Sequence, residues 1–374
     1  MKILFTGGGT GGHILPIVGI VREIRKIYQK PDLQFLYIGP KDEFGEFFLS
    51  QEGIEIKTIL SGKIRRYLDW KTIFRNLADC LFKIPVGVLQ SFSYIFVFGP
   101  DLIFSKGGFG SIPTVIAGKI LLTPVLLHES DVAPGLANRI LSHFALEIFV
   151  SFPRTEYFPP RKMILVGNPI RRELLEASRE EAEKFFKLTG GKPVILILGG
   201  SQGAQRINDK ILEILPELLK DFEIIHQCGD KNFREVRAEA KAIITPELGK
   251  FFHPFPFLKE EELKRVYALS DLILSRAGSG SIFEIAAWAK PSILIPLPEA
   301  AQNHQVENAY AYAENKAAIV MEENNFTSRF FLEKLKFIFA HPEELEKMAK
   351  AAREFSKPLA AKIIAEYIVA FLTE

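Results

Sequence analysis

Four glycine-rich stretches hold most of the residues that could do chemistry. They are Gly7-Gly8-Gly9-Thr10-Gly11-Gly12-His13, Lys106-Gly107-Gly108-Phe109-Gly110-Ser111, Gly199-Gly200-Ser201-Gln202-Gly203-Ala204 and Arg276-Ala277-Gly278-Ser279-Gly280-Ser281. Each follows a short apolar run and opens a helical pattern. Glycine lets the backbone approach a ligand closely, and a helix start offers N–H groups and a positive dipole end. Such turns at the carboxyl ends of parallel strands suit phosphate groups. One alone reads equally well as a tight turn. Four in matching positions, two in each half, point to a phosphorylated ligand.

The first turn also fits G-x-G-x-x-G, at Gly7, Gly9 and Gly12. A dinucleotide site would add an acid at the end of the second strand to hold the ribose. That strand, Leu33–Ile38, runs into Gly39-Pro40-Lys41, with Asp42 and Glu43 beyond its end, so an NAD oxidoreductase fits poorly. No G-x-x-x-x-G-K-[ST] is present, which argues against a P-loop NTPase. Glu284 lies six residues past Gly278, within the following helix. There a carboxylate either accepts hydrogen bonds from ribose hydroxyls or simply complements the helix dipole. Gln305 and Asn308 are three apart and share a helix face. Neutral amides suit sugar hydroxyls; a solvated helix start is the other reading.

The elements that position these turns alternate regularly. Strands are expected at Lys2–Thr6, Leu33–Ile38, Leu102–Ser105, Val125–His128, Glu147–Val150 and Ile164–Gly167. Helical patterns lie between them at Leu15–Tyr28, Pro113–Leu122 and Gly135–Ser142. The second half restarts at Val194–Leu198 and continues through Phe222–His226, Leu272–Ser275 and Ile293–Pro296. Its helices are expected at Gln205–Leu219, Glu260–Leu269 and Ile282–Ala289. Short strands alternating with helices predict an α/β fold with parallel sheets covered on both faces. A hinge is expected between about residues 165 and 192, around Gly167-Asn168-Pro169 and Thr189-Gly190-Gly191.

Composition agrees. A chain of 374 residues is too long for one ordinary core, and 48% hydrophobic residues exclude a largely disordered chain. A net charge of +2 argues against nucleic acid as a partner. Cys80 and Cys228 form neither a disulfide framework nor a compact zinc site, so a reducing compartment is the simpler reading. Lys2 is followed by only three apolar residues before the glycines, which is not a signal peptide. The apolar stretch Cys80–Gly99 approaches bilayer length but contains Lys83, Pro85 and Gln90, so a transmembrane span is not expected.

One local feature departs from that neutral total. Residues 57–83 hold seven Lys and Arg (Lys57, Lys63, Arg65, Arg66, Lys71, Arg75, Lys83) against Asp69 and Asp79. Trp70, Ile73, Phe74, Leu77 and Leu81 follow helical spacing through it. A basic, aromatic amphipathic segment reads as contact with anionic phospholipids at a membrane interface, or as a buried helix face with solvated lysines.

Taken in order, the motifs resemble the MurG family, the peptidoglycan N-acetylglucosaminyltransferases of bacteria within glycosyltransferase family 28. The residues that carry the resemblance are Gly7–His13 with Pro16, Gly167-Asn168-Pro169-Ile170-Arg171, Gly199–Ala204, Arg276-Ala277-Gly278 with Glu284, and Asn303-His304-Gln305 with Asn308-Ala309. It implies a GT-B fold, two Rossmann-like domains with parallel sheets facing a central cleft. An N-terminal acceptor and membrane-association domain, residues 1–165 joined by the helix 358–374, would precede a donor domain of residues 166–357. It implies inverting transfer of GlcNAc from UDP-GlcNAc to the C4 hydroxyl of MurNAc in lipid I. The product would be lipid II for cell-wall biogenesis, made by a peripheral protein on the cytoplasmic face of the plasma membrane. It implies no cofactor and no tightly bound metal, and the glycine turns hold no D-x-D pair.

Residue by residue, the resemblance puts the UDP diphosphate on Ser201, Gln202 and the Gly199–Ala204 backbone, including Gly203 and Ala204, and counts Gly278 and Ser279 among the substrate-binding residues. Arg171 and Arg276 would stand near the nucleotide, Glu284 would bind ribose, and Gln305 and Asn308 would read the GlcNAc hydroxyls. The uracil would meet backbone groups near Phe257 and Leu258. Gly7–His13, with Thr10, Gly11 and Gly12, and Gly107–Ser111 would face the acceptor pyrophosphate and sugar, and Asn138 is counted among the substrate-binding residues. His13 is the expected base, since histidine titrates near working pH; it could instead cap the loop or bond an acceptor phosphate. The sequence departs from the family's commoner H-E-Q-N at His128-Glu129-Ser130-Asp131, which makes Asp131 a further candidate carboxylate. Phe109 stands before Gly110-Ser111 where Val is usual before the Ser, and Gln302 replaces a frequent Asp. Rival readings are another GT-B transferase with a different lipid acceptor, a UDP-GlcNAc 2-epimerase-like enzyme, and a non-enzymatic sugar-nucleotide sensor.

Overall fold

The computed structural model describes residues 1–62, 70–153, 157–188, 191–200 and 203–373, with backbone alone for Lys71, Ile73, Ala78 and Ala301. The chain divides into two units, Met1–Arg171 with Pro358–Glu374, and Arg172–Lys357.

The first unit holds β1 (Lys2–Thr6), β2 (Gln34–Gly39), β3 (Glu55–Thr58), β4 (Leu102–Ser105), β5 (Val125–Glu129), β6 (Glu147–Val150) and β7 (Met163–Leu165). They form one parallel sheet in the order β3-β2-β1-β4-β5-β6-β7. Successive side chains of a strand point to opposite faces, and both faces here are covered. Ile3 and Phe5 of β1 join Ile14, Ile17, Val21 and Ile24 of the Gly11–Ile27 helix on one face. Ala361, Ile364, Ala365 and Ile368 of the Ala360–Thr373 helix complete that core. Leu4 joins Ile38, Ile103, Val115 and Leu127 on the other face.

The second unit holds β8 (Val194–Leu198), β9 (Glu223–Gln227), β10 (Phe252–Phe255), β11 (Leu272–Ser275), β12 (Ser292–Leu294) and β13 (Ala318–Val320). Its parallel order is β10-β9-β8-β11-β12-β13. Ile195 and Ile197 of β8 pack with Ile207, Ile211, Leu215 and Phe331.

In each sheet the strand order reverses once, between β1 and β4 and between β8 and β11. Ligands of open parallel sheets bind beyond the strand ends at such switch points. All four glycine turns follow these four strands. Register aligns them, Thr6 opposite Ser105 and Leu198 opposite Ser275, so each pair of turns begins level.

Two expectations are corrected. The division falls between Arg171 and Arg172, not at 165/166, because Val166–Arg171 packs in the first unit. His128 Nε2 donates to Gly167 O at 3.1 Å, and Ser130 Oγ donates to Asn168 Oδ1 at 3.1 Å. The expected helix Gln205–Leu219 is two, Gln205–Glu213 and Leu215–Asp221. Pro216 cannot donate to the preceding turn and clashes with it, so a new helix starts there.

Candidate functional site

In the first unit the Gly7–Gly12 turn leads into the Gly11–Ile27 helix, with Thr10 at its N-cap in extended conformation. Thr10 Oγ1 lies 2.8 Å from His13 Nδ1. A Cβ on Gly8 would stand 3.0 Å from His13 Cε1, and one on Gly108 2.9 Å from Nε2. The imidazole therefore occupies a slot between two turns that only glycine leaves open. Gly107 and Gly108 both have φ of +82°, which an L side chain rarely adopts. The Thr10 hydroxyl sets the tautomer of His13. If it donates to Nδ1, Nε2 carries the proton; if it accepts from a neutral ring, Nε2 is unprotonated and can act as a base.

Beneath these turns lies a buried polar network. Glu129, at the end of β5, accepts from Asn138 Nδ2 at 2.8 Å and from Asp131 N at 2.9 Å. Lys106 follows β4, is buried, and its amine bonds Ser130 Oγ. Burial pulls the Lys106 ammonium below its ordinary value, against the opposing pull of Glu129 and Asp131. Burial, reinforced by the Asp131 charge, pushes the Glu129 carboxyl up. Burial, with the nearby Lys106, drives His128 well below the usual imidazole range. Asn138 is itself buried, with Oδ1 packed against Gly107; it underlies the turns.

In the second unit the Gly199–Ala204 turn follows β8. Ser201 and Gln202 lie outside the described residues. Gly203 has φ of +77°, and a Cβ there would meet Cys228 O at 2.6 Å. Ala204 O accepts from Ile207 N and Asn208 N, both at 2.9 Å, and so starts the Gln205–Glu213 helix. Gln227, at the end of β9, was not singled out from the sequence. Its Nε2 donates to Gly200 O at 3.2 Å and its Oε1 accepts from Leu258 N at 3.1 Å. One buried amide thus ties the turn to the Phe257–Leu258 segment.

Gly278 caps the Ser279–Ala287 helix, which carries the partly exposed Glu284. Asn308 is fully buried, and its Nδ2 donates to Ala277 O at 3.4 Å, so it supports the Gly278 turn from below. Gln305 is partly exposed and its Oε1 accepts from Leu297 N at 3.0 Å. Arg276 donates to Ile295 O at 3.3 Å and pairs with Glu323, which also binds Arg206. Its guanidinium is therefore anchored within the second unit, whereas Arg171 is buried in the first. Among the described residues, no group of three His, Cys, Asp or Glu could hold a metal ion.

The basic segment is seen in part; Lys63, Arg65 and Arg66 lie outside the described residues, as do the side chains of Lys71 and Ile73. The helical run from Trp70 continues through a π-helical turn, Asp79–Lys83, into the Ile84–Phe98 helix. Its Phe74–Phe98 portion is long and apolar enough to cross a membrane by length and composition. One face is docked: Gly87, Ser91 and Ile95 are buried, and a Cβ on Gly87 would stand 2.0 Å from Leu60 O. The other is open, with Trp70 78% and Val97 81% exposed, together with Phe74, Leu77, Leu81, Phe82, Leu89 and Phe96. Most of the predicted stripe thus faces outward. Two basic groups are locally matched, Lys83 with Asp79 at 2.6 Å and Lys57 with Glu55 at 2.9 Å.

The two parallel-sheet units with paired glycine turns at their switch points are those of a family 28 glycosyltransferase, as the family models show. Residues 3–150 match the glycosyltransferase family 28 N-terminal domain, and residues 194–364 its C-terminal domain. A Clostridium tetani protein is 36% identical over 351 residues, 93% of each chain, and is named UDP-N-acetylglucosamine–N-acetylmuramyl-(pentapeptide) pyrophosphoryl-undecaprenol N-acetylglucosamine transferase. A Bacillus cereus protein with the same name, numbered 2, is 37% identical over 375 residues, covering 100% of this chain and 99% of its own. The crystal structure of Acinetobacter baumannii MurG superposes with a TM-score of 0.74 at 25% identity, over 99% of both chains. The chain belongs to this MurG family of N-acetylglucosaminyltransferases. A UDP-GlcNAc 2-epimerase from Neisseria meningitidis, bound to UDP-GlcNAc, shares the fold at 18% identity with a TM-score of 0.67 over 99% of this chain and 100% of its own.

Proposed function

We propose that this protein transfers GlcNAc from UDP-GlcNAc to lipid I, the undecaprenyl-pyrophosphoryl-MurNAc-pentapeptide, giving lipid II for peptidoglycan synthesis. The observation that carries the reading is full-length identity of 36–37% to transferases named for these substrates. The glycine turns at both switch points supply matching chemistry.

In this reading the second unit takes the donor. N–H groups of the Gly199–Ala204 turn, with Ser201 and Gln202, and of Gly278 and Ser279 hold the diphosphate. Glu284 accepts from the ribose, Phe257 and Leu258 border the uracil, and Gln305 addresses the GlcNAc hydroxyls. Asn308 and Arg276 act by holding the turns that carry these groups. The first unit takes the acceptor through Thr10, Gly11, Gly12 and Gly107–Ser111, with Asn138 and Glu129 beneath. The C4 hydroxyl oxygen of MurNAc attacks the anomeric carbon as the bond to the UDP oxygen breaks, inverting that centre. His13 Nε2 accepts the hydroxyl proton in the tautomer where Thr10 receives Nδ1–H. UDP leaves with the bonding electrons, its charge met by preorganised N–H groups.

The lipid-linked acceptor requires a visit to the bilayer. We assign that contact to the exposed apolar face of the Trp70–Phe98 helices with the basic residues of 57–83, at the cytoplasmic face of the plasma membrane. One assay matrix tests the function: UDP-GlcNAc, UDP-Glc or UDP-GalNAc, each with and without a lipid I analogue. GlcNAc transfer that needs the analogue is the expected result. Conversion of UDP-GlcNAc to its C2 epimer without acceptor would replace this reading with the epimerase one.

A further inference from the structure

Tyr267 is the bulkiest kind of side chain in the second unit's interior, and it is 1% exposed. It stands in a run of four buried residues, Val266–Leu269, that ends the Glu260–Leu269 helix. The hydroxyl must find a partner when buried, and it donates to Glu284 Oε2 at 2.8 Å. The acceptor is a partly exposed carboxylate on another helix, seventeen residues away. A hydrogen bond to a carboxylate is short and strong, and here it holds one oxygen of the Glu284 side chain in place.

The same helix begins immediately after Leu258, whose N–H is bound by Gln227. Its start is stiffened by Glu262, which accepts from Lys259 N at 2.8 Å. One rigid element therefore carries the Phe257–Leu258 segment at its start and the hydroxyl that grips Glu284 near its end.

We propose that Tyr267 is a positioning residue for nucleoside recognition, orienting Glu284 toward a ribose diol and linking that contact to the base-proximal segment. The inference rests on Glu284 as the ribose acceptor and adds the residue that makes it selective.

Calorimetric titration with UDP, 2′-deoxy-UDP and 3′-deoxy-UDP tests it on the full chain. The unmodified protein should prefer UDP over the analogue lacking the bound hydroxyl by about tenfold or more, the range for a hydrogen bond to a charged group. Tyr267→Phe keeps the ring and should reduce that preference to about threefold, since a mobile carboxylate makes the poorer bond. Glu284→Gln should lose most of the preference, and Tyr267→Phe combined with it should lose no more. A merely structural tyrosine would weaken all three ligands equally. Unchanged preference in Tyr267→Phe, with the preference lost in Glu284→Gln, overturns the inference alone. Full preference in Glu284→Gln overturns the ribose reading and the inference with it.

Discussion

The two switch points use the same backbone device on different foundations. Under the first unit's turns lie ionisable groups, Lys106, Glu129 and His128, all buried. Under the second unit's turns lie neutral amides, Gln227, Asn208 and Asn308, together with the Arg276–Glu323 ion pair. The second unit's buried histidine, His226, is pushed down to about 3 by burial and bonds Asn208 Oδ1 at 3.0 Å, so it stays neutral at working pH. Neutral amides fix geometry without responding to protons. A foundation of mutually perturbed acids and bases ties its geometry to pH. On this comparison donor recognition should be flat with pH, and pH sensitivity should belong to the acceptor side.

The largest expected effect is at His13. His13→Ala should lower kcat by about 10²–10⁴, with the donor KM within a few fold, measured by steady-state kinetics on a lipid I analogue. A large rise in donor KM would erase the division between the units. The next effect is on stability. Glu129 has its carboxyl raised to about 7, above its ordinary value, so the folded chain holds that proton more tightly than the unfolded one. The unfolded chain therefore releases protons between about pH 4.5 and about pH 7, and this group's contribution to stability is lost as pH rises through that window. Glu129→Gln should flatten the fall in melting temperature between about pH 5 and about pH 8. The same flattening in a His226→Asn variant would show that the two foundations do not differ. The smallest effect concerns the bilayer. Reversing Arg65, Arg66 and Lys71 should lower sedimentation with anionic vesicles by about 1 kcal/mol per group in binding free energy at low salt. The exposed apolar face should leave residual binding to neutral vesicles, because it owes nothing to charge.

Central strands were legible because they are continuous apolar runs between glycines. Lys2–Thr6, Leu102–Ser105, Val194–Leu198 and Leu272–Ser275 appear with the bounds the sequence predicts. Of the four outer strands only Met163–Leu165 was expected, as Ile164–Gly167. Glu55–Thr58 alternates charge along a partly exposed edge, Phe252–Phe255 contains Pro254, and Ala318–Val320 is three residues long. Edge strands tolerate proline and polar residues, so pattern alone does not mark them. The ligand-facing turns were readable because glycine spacing is local. Their supports were not: nothing in the sequence singles out Tyr267 or Gln227, and Lys106 stands out only as the first residue of the second glycine stretch. Each acquires its meaning from a partner brought by the fold. Asn308 and Asn138, expected from the sequence to bind substrate, are both buried, which the sequence did not show.

The route of the chain through its units has a consequence for how the protein is made. Residues 358–374 close a core begun by residues 3–24, and the whole second unit is synthesised between them. During translation the first unit must wait, with Ile17, Ile20 and Val21 lacking their last partners, while the second can fold as soon as it emerges. Contacts so distant in sequence form slowly. The second unit is thus ready before the first, and a ribosome that stalls after about residue 357 leaves a product with the strands of both sheets but one incomplete core.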